Sequence, residues 1–369
     1  MPADMNEIAR LPDSEKDRLT QTGLEIGLEN RCGSFFQMDQ EILQTTCSAE
    51  GVEVLALADA LEKYDWMAER YWNAVKKDKD KYTEFVAKQE RPAGVVVIAH
   101  KGARTVYPVQ ACLYLAGGPV QTVHNIMIAE EGAELHVISG CASAAGAKSG
   151  SHLGVTEFYV GKNARITSTM IHNWNPHISV YPRSAAIVEE NGVFISNYVC
   201  MQPVSRIQMY PEVTLGENAV GRFSSIVVAQ PDSYFDLGSR AILRGRGSSA
   251  ELITRAITKG GTVVSRGHVL GETEETKGHI ECKGMILKDG TIHAIPEIEG
   301  RVTGTELSHE AAVGKIARDE IEYLMARGLD EETATATIIR GFLDVKIEGL
   351  PPMLQQQIDA AIDAADAGF

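Results

Sequence analysis

The stretch EENGVFISNYVCMQPVSRIQMYPEVTLGENAVGRFSSIVVA, residues 189–229, holds two β-rich segments, each introduced by a turn of acidic residues, Asn and Gly. The same turn chemistry recurs as EEGAEL at 130, GKNARI at 161 and KGGTVV at 259. Gly132, Gly161, Gly192 and Gly216 lie 29, 31 and 24 residues apart, inside the window of roughly 20 to 50 residues that marks repeat architectures. A short strand cannot bury its apolar face alone, so successive coils must stack, with the Gly/Asn turns at their corners. These features predict a mainly β fold whose core, residues 95–305, is a right-handed parallel β-helix. An antiparallel sandwich would need two-residue Asn-Gly or Asp-Gly hairpins, which occur only at Asn191-Gly192 and Asp289-Gly290. A doubly wound α/β sheet would need helices between the strands, and no such interludes are present.

On both sides of this core the pattern turns helical. In residues 1–94, Val54, Leu57, Leu61, Tyr64, Ala68, Tyr71 and Val75 recur at steps of three and four, which predicts a mostly helical N-terminal region. In residues 306–369, Ala317, Ile321, Leu324 and Met325 share one helical face, with Gly328 as a stop and Asp330 as an N-cap. A second helix carries Ile338, Ile339 and Leu343, and a third, after Pro351-Pro352, carries Leu354, Ile358 and Ile362. The apolar faces of this C-terminal helical domain can dock on the core or on a partner.

The charge balance narrows the partners. A net charge of −15 leaves no basic surface to neutralise nucleic acid or an anionic membrane. No apolar run reaches the roughly 18 to 20 residues of a membrane span, and the opening MPADMNEIARLPDSEK is polar, so a cytoplasmic location is expected. Six cysteines without a C-x-x-C pair do not describe a disulfide framework.

In GHIECKGMIL, alternation sets Ile280, Cys282 and Gly284 on one face and Glu281 and Lys283 on the other. His309 and Glu310 follow where the chain leaves the stack. Thiolate, imidazole and carboxylate together suit iron or an iron–sulfur cluster, since sulfur binds iron strongly and the harder ligands leave it exchangeable. The same His309-Glu310 pair equally suits the first turn of a helix capped by Ser308. His293 lies between Cys282 and His309 along the chain and is a further candidate ligand. His152, His268 and His279 read as strand or surface histidines. Cys112 and Cys200, in apolar strands, read as core thiols, and Cys32 and Cys47 have no neighbouring histidine.

The segments ECKGMIL, LSHEAAVGKIARDEIEYLMARGLDEETATATIIRGFL, SGCAS and IHNWNP resemble the B and D scaffold subunits of the SUF iron–sulfur assembly system, over about residues 95–350. The resemblance implies that Cys282 binds the nascent cluster with His309 and Glu310 of the following turn. Ser308 stands where the B-type turn has a carboxylate, and Glu306 is its nearest substitute. Cys141 matches a cysteine that accepts sulfur inside the β-helix, and His172, Asn173 and Trp174 fall along the sulfur path. The family has a glutamine at the position of His172, and upstream polar path residues are replaced here by ACLYLAGG. The implied partners are an ABC-type ATPase docked on the C-terminal helices, because the chain has no G-x-x-x-x-G-K-[ST] loop, and a sulfur donor. Because the chain mixes B-like and D-like features, a homodimer is the simplest assembly, with the cluster at its interface. A flavin is not indicated. Two other functions compete: a cluster-free partner subunit, and a carbohydrate-active β-helix enzyme, which would carry repeated carboxylate clusters.

Overall fold

The computed structural model describes residues 7–27 and 31–343. It is a β-solenoid of about eight turns with helices at its ends. One sheet has ten strands, among them Gly33–Met38, Val109–Leu115, Glu134–Ser143, Arg165–Asn173, Val193–Cys200, Val220–Ala229, Ser249–Thr258, Lys277–Ile286 and Glu306–Gly314, all parallel. The facing sheet runs to Tyr234–Leu243, Thr262–Gly271 and, at its end, Thr291–Gly300. In each strand alternate residues enter the lumen, as Phe194, Tyr198 and Cys200 do, and pack against the inward residues of the facing sheet.

The corners explain the turn motif. Gly102, Gly132, Asn163, Asn191, Asn218, Gly247, Glu275 and Gly304 all take positive φ, between 52° and 84°. Each begins the same tight bend, and backbone bonds such as Asn163 N–H to the Glu190 carbonyl and Asn191 N–H to the Glu217 carbonyl join one corner to the next. Glycine and asparagine tolerate this left-handed conformation best, which is why they mark the period. The column places corners 27 to 31 residues apart, a tighter spacing than the Gly161 and Gly216 positions suggest.

The solenoid extends further in both directions than the sequence pattern predicts. Val52–Ala56 is a strand, antiparallel to Val95–Ala99, and Gly33–Met38 forms a hairpin with Glu41–Cys47. Val54 thus belongs to a strand whose alternation was hidden by the helical spacing that continues into Leu57–Lys63. At the other end Glu306–Gly314 is a tenth-sheet-strand rung, and the helices start only at Arg318–Met325 and Glu331–Leu343. Helix Glu331–Leu343 lies back on the outer face of the ten-stranded sheet, with Ile339 and Leu343 against Ile171, Val199, Ile226 and Ile257. Helix Arg318–Met325 buries none of its residues. The third helix expected around Leu354 falls outside the described residues. No helix among the described residues is long and apolar enough to cross a membrane.

An N-terminal arm covers part of the same outer face. Its Thr22 and Leu24 sit so close to Gly140 that a Cβ there would lie 2.3 Å from the Thr22 hydroxyl oxygen. A second outer clamp is Glu157, whose buried carboxylate accepts the backbone N–H groups of Trp72, Ala74 and Val75 at 2.7, 2.6 and 2.9 Å and bonds His124 at 2.8 Å.

Burial holds three interior histidines neutral: His124 is shifted down, His152 to about 4, and His172 well below its ordinary value. Below about pH 6.5 the unfolded chain takes up these protons while the folded chain does not, so stability must fall as the pH falls from about 6.5 toward 4. Urea unfolding at successive pH values is expected to show stability falling in that window, with His152 alone contributing about 1.4 kcal/mol per pH unit. His152→Gln is expected to flatten the slope.

Candidate functional site

Cys282 lies in strand Lys277–Ile286 with its side chain in the lumen, 3% exposed, between the inward-facing Ile280 and Gly284. The Ser265 hydroxyl, from the facing sheet, donates to its Sγ at 3.6 Å. Burial pushes the thiol up, and the Ser265 contact only partly offsets this, so the resting group is a protonated thiol. Ligand binding must therefore displace a proton.

The next rung carries His309 and Glu310, on a strand and not on a helical turn. Its register pairs Ile280 with His309, Glu281 with Glu310 and Cys282 with Ala311. Residues paired in a parallel sheet point to the same side. His309 therefore shares the inner side with Cys282, one strand on and two residues offset, and is exposed at the mouth of the solenoid. Glu310 points outward, where Lys283 binds it at 3.1 Å and Glu281 at 2.9 Å. The expectation that Cys282, His309 and Glu310 stand together in one chain is thus corrected: neighbours in a strand face opposite ways. Among the described residues no three His, Cys, Asp or Glu side chains converge as a metal site.

The other candidates near this end also face outward. Ser308 bonds the His279 ring at 2.9 Å, and Glu306 pairs with Lys277 at 3.0 Å, so neither replaces the missing carboxylate on the inner side. His293 is exposed on the facing sheet, in register with Val264 on its outer side and away from Cys282. The open end also exposes Ile298, Val302 and Val313 at 40, 38 and 42%.

Deeper in the lumen lies a second constellation. Cys141, His172 and Cys200 are in register on three successive strands, forming one inward row. The Tyr198 hydroxyl bonds His172 Nδ1 at 2.9 Å. Trp174 packs beside it, its ring 5.5 Å from His172 and 5.1 Å from His152. Burial pushes Cys141 up and Cys200 up to about 12. Asn173 leaves this group: its amide donates to the Arg18 carbonyl at 3.1 Å and to Gln21 Oε1 at 2.9 Å, tying down the N-terminal arm.

The sequence reading of Cys200 as a core thiol matches its place in the lumenal core, and what the sequence does not show is its neighbour. Cys200 is buried, as a core thiol should be, yet it stands beside His172. The signal lay in the turn length, since Cys141, His172 and Cys200 recur at 31 and 28 residues, one turn of the solenoid each. Cys112 faces the other way, beneath the N-terminal arm with Leu24 and Tyr114, and Cys32 and Cys47 lie at the first hairpin.

The model of the SufBD core domain of SUF-system iron–sulfur cluster assembly matches residues 113–342. An iron–sulfur cluster assembly SufBD family protein of Archaeoglobus fulgidus is 46% identical over 353 residues, covering 95% of each chain. One of Methanothermobacter thermautotrophicus is 45% identical, over 97% of this chain and 89% of its own. A third, of Pyrococcus horikoshii, is 29% identical over 100% of this chain and 84% of its own. With the solenoid, the lumenal Cys282 and the paired terminal rungs already in place, the chain belongs to the SufBD family of iron–sulfur cluster assembly proteins.

Proposed function

We propose that the protein is a cytoplasmic scaffold, not a catalyst, on which an iron–sulfur cluster is built and from which it is released. The observation that carries this reading is the placing of Cys282 and His309 on one side of the last two rungs, at the open mouth of the solenoid. A thiolate holds iron strongly and an imidazole more weakly, which suits a cargo that must leave. Two ligands are too few for a cluster, so the remaining ones come from a second copy whose open end meets this one. Glu310, on the outer side of the same edge strand, becomes a ligand only if Lys283 releases it.

Sulfur enters on Cys141 from a donor protein and travels through the lumen past His172 and Trp174 toward Cys282. ATP-driven opening of the dimer is supplied by an ABC-type ATPase, docked on helix Arg318–Met325, where Tyr323 and Met325 remain 60 and 36% exposed. A second reading, a partner subunit that holds no cluster, draws on the ion-paired state of Glu310 and the absence of a third inward ligand among the described residues.

Anaerobic reconstitution distinguishes the two. Cys282→Ala is expected to lose cluster formation, read by visible absorption and iron and sulfide content, while the circular dichroism and dimer mass by light scattering stay unchanged. His309→Ala is expected to lower cluster yield more than Glu310→Ala, because only His309 shares the side of Cys282. A wild-type yield in Cys282→Ala would place the cluster on other ligands, and a wild-type chain that forms no cluster would favour the cluster-free subunit.

The docking surface is tested by Tyr323→Glu together with Met325→Glu. Neither residue is buried, so the melting temperature is expected to stay within a few degrees of wild type. Co-purification of the ATPase is expected to be lost, and its retention would move the contact elsewhere.

A further inference from the structure

Resting on the reading of Cys141 as sulfur acceptor, we propose that the way from solvent to Cys141 runs through the corner at residues 144–149, and that the N-terminal arm is a door over that corner, bolted by Arg18. Cys141 is 0% exposed, so a donor protein cannot touch its sulfur in the closed fold. Along the lumen its row is filled by Leu113 on one side and His172 on the other. On the outer face Gly140 lies under Thr22 and Leu24, and the strand backbone would still intervene if they moved. The corner is nearer. Strand Glu134–Ser143 ends two residues past Cys141, and Ala145, Gly146, Lys148 and Ser149 are exposed. A Cβ on Gly146 would meet nothing within 4 Å, and no residue from Ala144 to Ala147 carries more than a methyl group, so this corner can swing without drawing a large side chain out of the core.

The bonds that shut the corner converge on two side chains. The Asn175 amide donates to the carbonyls of Ala144, Ala145 and Ala147 at 2.6, 3.3 and 3.3 Å, drawing the loop against the next turn. Arg18, from helix Asp13–Thr20, donates from Nη2 to Asn175 Oδ1 at 3.0 Å and to the Asn173 carbonyl at 3.2 Å, and from Nε to the Ser143 carbonyl at 3.0 Å. The guanidinium thereby fixes which way the Asn175 amide faces, since its oxygen must meet Arg18 and its nitrogen the loop. Glu15, from the same helix, accepts the Tyr114 hydroxyl and, at 3.4 Å, the Ala145 N–H. One helix thus spans the ends of the strands that carry Cys141 and His172.

The arm can come away while the stack stays whole. Its described residues, 7–27, contribute no strand, so no ladder bond of the solenoid breaks when they lift. They are held by Ile8, Leu19 and Leu24 against Phe36, Cys112 and Tyr114, beside the polar bonds of Arg18, Asn173 and Glu15. A segment attached in this way opens at a lower free energy than the stack unfolds. A donor that displaces it reaches Cys141 through the freed corner, and reclosure shields the cysteine from solvent again. Cys112, under the same arm but on the outer side of its strand, reports the lifting of the arm by itself.

Alkylation of the folded protein tests the door. The full-length chain is held anaerobically with N-ethylmaleimide, and each cysteine is followed by peptide mass. In the wild type the exposed Cys47 is expected to react first and Cys141 far more slowly. Arg18→Ala is expected to speed both Cys112 and Cys141 at least tenfold, while Cys282, at the far end, stays within twofold of wild type. Asn173→Ala, which removes the amide that ties down Arg18 and Gln21, is expected to act in the same direction. If Arg18→Ala loosens the whole fold, Cys282 rises with the rest, and Arg18→Lys, which keeps the charge without the planar fork, carries the test through a smaller rise confined to Cys112 and Cys141. A faster Cys112 beside an unchanged Cys141 would mean that the arm lifts without opening the lumen and would overturn the proposal, as would unchanged rates at both cysteines in these variants. The readout is alkylation and not sulfur transfer, so it decides the door whether or not Cys141 proves to accept sulfur.

Discussion

The in-register stacking of each turn on the last governs everything else in this molecule. Once a strand is paired in parallel, every residue is assigned both a row and a side, and a slip of one residue would reverse every side chain. That constraint separates Glu310 from His309 although they adjoin in sequence, and joins Cys141, His172 and Cys200 although they are a turn apart. The chemistry of the protein is therefore written across the strands and not along them.

What holds the register is distributed. The left-handed corner residues fix where each turn bends, and Asn191 donates to Asn163 across one step at 3.1 Å. Opposite charges one turn apart add a second set of markers: Lys162 with Glu190, Arg222 with Glu251, Arg246 with Glu275 and Lys277 with Glu306. Exposed pairs of this kind stabilise by only about 0 to 1 kcal/mol each. Their effect lies in discriminating against slipped alignments, where like charges would meet. The apolar lumen supplies the bulk of the stability, through contacts between adjacent turns.

The fold was legible because glycine and asparagine at the corners leave a visible period. The period was read imperfectly because Gly161, Gly192 and Gly216 stand beside the left-handed corner residues Asn163, Asn191 and Asn218 and not on them. The ends were less legible. Val54 and Leu57 keep a helical spacing across a strand-to-helix boundary, and the alanines of Glu306–Gly314 favour a helix that pairing with Lys277–Ile286 overrides. Cys282 was legible as inward-facing from alternation alone. The site around it was not, because adjacency in sequence suggests proximity on a helix and opposition on a strand. Reading His309-Glu310 as a helical turn therefore carried the wrong geometry for both. Cys200 required the alignment of whole turns before its neighbour could be known.

The two ends of the solenoid differ in how their edges are protected, and this bears on assembly. At the first end, antiparallel strands and the N-terminal arm fold over the stack, with Phe35, Val52 and Val54 closing the lumen. At the last end, Thr291–Gly300 carries Pro296, which removes a backbone donor, and Glu297 and Glu299, so this edge discourages pairing. Its companion Glu306–Gly314 has no proline, and beyond Glu310 it reads Ala311, Ala312, Val313, Gly314. An exposed edge stretch without charge is a hazard in a monomer and an asset in an assembly. Among the described residues, the edge strand with this uncharged stretch is the one that carries His309 beside the Cys282 rung, so the edge best able to pair with a second chain lies where the proposed scaffold would need further ligands.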